Sequence, residues 1–139
     1  MSTVASTTFP EGPTARLSSR FCDANSGLRA ITECDGTAVV VRVGGDIDAS
    51  NEGAWERLVS KSAALAIAPG PFVVDVRELE FMGSCAYSVL AQEAARCERR
   101  GLGLRLVSGQ VIVGRTIAAC GLGGLLPLYP TVEAALSPV

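Results

Sequence analysis

Ser84 and Cys85 place a hydroxyl beside a thiol at the point where an apolar run gives way to a segment of helical period. Two carboxylates, Asp46 and Asp48, lie upstream in the short Gly45-Asp46-Ile47-Asp48 sequence. Histidine is absent, which removes Ser-His and Cys-His nucleophile pairs and every His-containing metal site. The five cysteines, at 22, 34, 85, 97 and 120, form no CxxC and are odd in number, so neither a zinc ribbon nor a secreted disulfide framework fits. Most read as reduced, small apolar side chains of a cytosolic core. What remains is a hydroxyl that could be modified, a thiol that could react, and a pair of carboxylates.

Each has a structural reading beside the chemical one. Ser84 directly precedes a helical segment and reads as its N-cap, a role worth about 1 kcal/mol. A phosphate on that hydroxyl would meet backbone N–H groups and the positive end of the helix dipole, so modification need not unfold the domain. It would add roughly −1.5 to −2 charges to the surface. Cys85 falls in the first helical turn, where the dipole lowers a thiol pKa, which suggests a nucleophile or a redox-sensitive group. Against a thiol enzyme stand the missing histidine, the lack of a phosphate-cradling loop and the lack of a nearby general acid. Twelve helical residues, about 18 Å, separate Cys85 from Cys97, so these two cannot bridge. Only tertiary folding could bring Cys85 near Cys120. Asp46 and Asp48 invite a metal, but two carboxylates with no third ligand are better explained by turns and caps.

The elements that must position these groups read as one domain. The chain has 139 residues, 48% hydrophobic and 19% charged, with a net charge of −2, which offers no electrostatic case for nucleic acid or an anionic membrane. No secretory signal and no membrane span are indicated, and the reading is cytoplasmic. Residues 1–27 read as a partly disordered extension with one late strand near Leu17 to Cys22. Leu28 to Cys34 alternates as a half-buried strand, Asp35-Gly36 predicts a hairpin turn, and Thr37 to Val43 suits a central strand. Gly44-Gly45 predicts a sharp turn, with Asp48, Ser50 or Asn51 capping a helix that runs to about Ala68 and buries Trp55, Leu58, Val59, Ser62, Leu65 and Ala66.

Phe72 to Val76 then reads as a buried strand. The helix after Ser84 buries Ala86, Val89, Leu90, Ala94 and Cys97, and stops at Gly101 behind Arg99 and Arg100. A strand is expected at Leu104 to Val107. The helix Val111 to Ala119 is expected to carry Val111, Ile112, Arg115, Ala118 and Ala119 on one face. Leu125 to Tyr129 predicts an edge strand, and Thr131 caps a last short helix. The order predicts an α/β fold, a mostly parallel mixed sheet with an opening hairpin and about four helices.

This order, the Gly45 to Asp48 turn, the run Val74-Asp75-Val76-Arg77-Glu78-Leu79-Glu80-Phe81-Met82-Gly83-Ser84 and the late Ala119-Cys120-Gly121-Leu122 resemble a bacterial STAS domain. More narrowly, they resemble a stand-alone anti-sigma factor antagonist, over about Leu28 to Leu136. The resemblance implies a non-catalytic, cofactor-free protein, with residues 28–139 as the domain. It would bind an anti-sigma factor and so free a sigma factor, as in stress responses. In that family the anti-sigma factor is an ATP-dependent serine kinase, the phosphorylated antagonist no longer binds, and a phosphatase reverses the change. The matching serine is Ser84, and the implied docking face comprises Asp46, Asp48, Gly83, Ser84 and Cys85. Here Gly83-Ser84-Cys85-Ala86 replaces the usual Asp-Ser-Ser-Gly, so a kinase that uses the aspartate loses it. The altered loop leaves open a redox-modulated module, through Cys85 or a Cys85–Cys120 bond, or a ligand-sensing module without phosphorylation.

Overall fold

The Val-rich segments 38–43 and 72–76 form the two middle strands of the sheet, since β-branched side chains fill both faces of a strand flanked on both edges. The computed structural model describes residues 16–137. In chain order it contains β1 (Arg16–Cys22), β2 (Arg29–Asp35), β3 (Ala38–Ile47), a 3₁₀ turn (Ala49–Asn51), α1 (Glu52–Ala64), β4 (Phe72–Met82) and α2 (Ser84–Arg99). There follow β5 (Leu104–Val107), α3 (Val111–Ala119), β6 (Leu128–Tyr129) and α4 (Val132–Leu136). The strands lie in chain order in a single sheet. β1, β2 and β3 pair antiparallel, and β3 through β6 pair parallel. The α/β reading with an opening hairpin is the fold found. The strand expected near Leu17 to Cys22 is β1, and the extension before Arg16 lies outside the described residues.

On one face of the sheet Val39, Val41, Val43, Val74, Val76 and Leu106 pack with Trp55, Leu58 and Val59 of α1 and with Leu90, Ala94 and Cys97 of α2. On the other face Val40, Val73 and Val107 meet Val132 and Ala135 of α4. All five residues expected on the buried face of α2 are buried, and Gly101 stops that helix at φ +78°.

Several boundaries differ from the sequence reading. β3 runs through Gly44-Gly45 to Ile47, absorbing the glycines as register shifts between Arg42 and Gly44 and between Gly45 and Asp46. A Cβ at Gly45, at φ +102°, would stand 2.8 Å from the Gly27 carbonyl oxygen of the β1–β2 loop. Gly45→Ala is therefore expected to destabilise the domain by roughly 2 to 4 kcal/mol, read from urea unfolding. α1 stops at Ala64, so Leu65 is 51% exposed. Thr37 O accepts the Ile67 N–H at 3.1 Å, drawing the chain off the helix axis. Arg100 contributes to that end, donating to Ala63 O (3.1 Å) and Ala66 O (3.0 Å). It thus satisfies carbonyls at the end of α1 as well as lying at the end of its own helix.

β4 continues past Val76 to Met82, and β6 is cut to Leu128–Tyr129. α3 has the expected span but the other face inward. Val113 and Ile117 are buried, while Val111 and Ile112 are 68% and 62% exposed and Arg115, Ala118 and Ala119 are exposed. The helix is apolar nearly all round, so spacing could not choose a face. The face is chosen by the core, which Val113 and Ile117 join, while Gly114 passes Leu128 of β6 closely enough that a Cβ would lie 3.5 Å from it.

Candidate functional site

The residues singled out for chemistry come from two neighbouring parallel strands and the turns that leave them. β3 and β4 end side by side, Asp46 opposite Phe81 and Ile47 opposite Met82. The Gly83 N–H donates to Ile47 O at 2.8 Å and joins the two exits. A Cβ on Gly83 would lie 3.3 Å from Ile47 O, 3.5 Å from the Phe81 ring and 3.8 Å from Asp48 Cα. A larger residue there would push the exits apart by a few tenths of an ångström. Asp46, Asp48, Gly83, Ser84 and Cys85 therefore share one end of the sheet.

Below them a hydrogen-bond lattice fixes the first exit. Asp48 and Asn51 form a reciprocal capping box on the 3₁₀ turn into α1. The Asp48 N–H donates to Asn51 Oδ1 (2.9 Å), and the Ser50 N–H donates to Asp48 Oδ1 (2.9 Å). The bonds from Ser50, side chain first, hold the exposed Asp48 carboxyl below its ordinary pKa. Asn51 is buried, and its amide donates to Asp46 O (2.8 Å) and Ser26 Oγ (2.9 Å), tying in the β1–β2 loop. Of the caps expected here, Asp48 acts through its side chain, and Asn51 occupies the N-cap of α1 without a side-chain cap bond. The second exit is fixed from below, where the fully buried Trp55 donates its indole N–H to Ala86 O at 3.2 Å.

Ser84 corrects one expectation and meets another. The N-cap of α2 is Gly83, with no side-chain cap bond, and Ser84 is the first helical residue. Its hydroxyl is exposed and is not part of the cap. It stands over a helix start whose first N–H groups lack intrahelical partners, where the positive dipole end favours an anion.

The thiol at Cys85 does not follow the helix-dipole argument. Burial is the largest influence and pushes its pKa up, with Glu52 and Asp48 adding to the rise against its own and the Ala86 N–H. The surface around Ser84 is thus already acidic, and Glu52 belongs to it although the sequence reading did not name it. Its signal was an acidic side chain in the first turn after the Asp48 cap. Iodoacetamide at pH 7 is expected to alkylate Cys85 more slowly than an unperturbed thiol, at a rate that still climbs with pH where that of an unperturbed thiol has levelled off. A fast, pH-insensitive reaction at neutrality would contradict this. Cys97, on the inner face of α2, is pushed further, to about 11, first by burial and then by Glu93.

All five cysteines are free thiols, so Cys85 and Cys120 are not bridged. Cys120 is exposed at the end of α3. Burial pushes the Tyr87 hydroxyl pKa up, and a hydrogen bond shared with Thr116 pulls it back. Among the described residues no group of three or more Cys, Asp or Glu is placed to hold a metal, and no helix is long and apolar enough to cross a membrane. Phe81 is 55% exposed beside Gly83, a feature the sequence reading passed over because it ended β4 at Val76.

With this geometry in view, the family is defined by comparison. The model of the STAS domain matches residues 29–135. The chain belongs to the STAS-domain family and groups with its anti-sigma factor antagonists. It is similar to the Mycobacterium tuberculosis protein Rv2638, provisionally named an anti-anti-sigma factor, at 50% identity over 91% of this chain and 86% of the relative. It is equally similar, at 50% identity over 81% of this chain and 88% of the relative, to the anti-sigma-F factor antagonist RsfA of M. tuberculosis. Among solved structures, an anti-sigma factor antagonist from Mycobacterium paratuberculosis superposes with TM-score 0.70 at 28% identity, covering 84% of this chain and 96% of that one. Unphosphorylated SpoIIAA, at 19% identity over 77% of this chain and 92% of its own, shares the fold with TM-score 0.60.

Proposed function

We propose that this protein is an anti-sigma factor antagonist acting in the cytoplasm. It binds an anti-sigma factor of the serine-kinase type, so that a sigma factor is released, and it catalyses no reaction itself. Residues 28–139 form the binding domain, and the docking face comprises Asp46, Asp48, Gly83, Ser84 and Cys85, with Glu52 at its edge. Phosphorylation of Ser84 by the anti-sigma factor ends binding, and a serine phosphatase restores it.

The observation that carries this reading is the exposed Ser84 hydroxyl, free of any capping duty, at the start of α2 where two strand exits are joined. The half-identity to RsfA supports the partner class. A phosphate there is tolerated by the fold because the helix N-terminus accommodates an anion. It is not tolerated by a partner, because a hydrated dianion would be buried at the interface beside Asp48 and Glu52. The test is incubation with a purified cognate anti-sigma factor and ATP, followed by intact mass measurement. One added phosphate on the wild type and none on Ser84→Ala is expected; no phosphate on either removes the switch.

A second reading draws on the thiols. Cys85 adjoins Ser84 in the first turn of α2 and is a free thiol, so its oxidation would alter the same face. Binding that is lost under mild oxidant, and kept in Cys85→Ser, would favour redox control over phosphorylation.

A further inference from the structure

The face of the sheet opposite α1 and α2 is only partly covered. α4 packs on its β4–β6 side, whereas Ile31 of β2 remains 37% exposed. There Arg20, Arg29, Ile31, Arg42, Gly44 and Glu78 line an open cavity of about 440 Å³, within the range of small-molecule sites.

Its cations fall into two groups. Arg42 is held by Glu33 at 2.7 Å, and the neighbouring Arg77 by Asp75 at 2.8 Å. Arg20 and Arg29 have no ion-paired or hydrogen-bonded acid among the described residues. Glu78 lines the same hollow without reaching ion-pair distance of either.

Gly44 explains how Arg29 is held. A Cβ at Gly44 would stand 2.8 Å from both Cζ and Nη2 of Arg29 and 3.1 Å from Nε. The guanidinium therefore lies against the bare backbone of β3, its cross-strand partner in the register. Gly44 has no positive φ that would call for glycine; close approach by the arginine is what a side chain would prevent. A guanidinium lodged this way, with its N–H groups unpaired, is preorganised to grip a planar or tetrahedral anion through two donors.

We infer that this hollow binds a small organic anion. Its carboxylate or phosphate is gripped by Arg29 with Arg20 adding charge, and its apolar body rests over Ile31. The inference does not depend on the role of Ser84.

Phenyl phosphate and benzoate, two headgroups on one ring, are the probes, with phenol as the uncharged control. They are titrated into the full chain while amide proton–nitrogen correlation spectra are recorded. Saturable shifts at Arg20, Ile31 and Gly44 are expected with the anions and not with phenol, and the tighter probe identifies the headgroup. Arg29→Lys keeps a charge but loses the fork, and Gly44→Ala keeps every charge but displaces the guanidinium. Each is expected to weaken binding roughly tenfold or more, with its own spectrum reporting that the fold is intact. The inference is overturned by no saturable shift up to about 10 mM, by shifts centred on the first turn of α2, or by unchanged affinity in both variants.

Discussion

Ser84→Glu is expected to weaken binding of the anti-sigma factor by roughly tenfold or more, while Ser84→Ala binds as the wild type does. The argument rests on where the hydroxyl is and what surrounds it. Ser84 is exposed on the first residue of α2, and Asp48 and Glu52 already act on the adjacent Cys85 thiol. A further carboxylate on this patch adds like charge at a surface that a partner must desolvate, and an unpaired charge in an interface is penalised more than it would be in water. Neither variant should disturb the fold. Gly83, and not Ser84, occupies the N-cap, so Ser84→Ala should change unfolding free energy by no more than about 0.5 kcal/mol. A capping serine would have cost about 1 kcal/mol. Calorimetric affinities and urea unfolding of the three proteins separate these effects. A large stability loss in Ser84→Ala would show that the hydroxyl is structural after all.

The largest effect on stability is expected at Trp55. It is fully buried between α1, the sheet and α2, and its indole N–H holds the carbonyl of Ala86 in the first turn of α2. Trp55→Ala should destabilise the domain by about 3–5 kcal/mol, from lost burial and the cavity left behind. Against a typical total of roughly 5–15 kcal/mol, that is a large fraction. Trp55→Phe retains most of the volume and gives up the hydrogen bond, so a smaller loss of about 1–3 kcal/mol is expected. Since Trp55 is the only tryptophan in the chain, unfolding of both variants is followed by far-ultraviolet circular dichroism. Equal stability of Trp55→Ala and wild type would mean that α1 does not brace the helix that presents Ser84.

Periodicity and turn chemistry carried the fold because they act locally. The hairpin falls one residue later than Asp35-Gly36 predicts, because Asp35 still pairs with Ala38 and the two-residue loop is Gly36-Thr37, with Gly36 at φ +65°; the spacing of Ala86, Val89, Leu90, Ala94 and Cys97 oriented α2 correctly. Where two local readings were equally good, the decision was tertiary. α3 is apolar on both sides, and it is packing into the core shared with α2 and the sheet that turns Val113 and Ile117 inward. Gly44-Gly45 reads as a turn in isolation, yet β4 on one side and the β1–β2 loop on the other keep it in the sheet.

The candidate site was legible as a list of residues, since Asp46, Asp48, Gly83, Ser84 and Cys85 stand at strand ends. Their electrostatics were not. The helix dipole predicts a lowered Cys85 pKa, whereas burial together with Glu52 and Asp48 raises it. The contributions of Trp55 and Asn51 to the site depend on partners 31 and 25 residues distant in sequence, beyond the reach of spacing.

The central claim, that charge on Ser84 gates docking, is tested most directly by preparing the protein phosphorylated at Ser84. The two forms are separated by ion exchange, and each is titrated with the same purified anti-sigma factor. The account predicts that the unmodified form binds and the phosphorylated form binds at least about tenfold more weakly, with both melting as folded domains. Equal affinity of the two forms would contradict it.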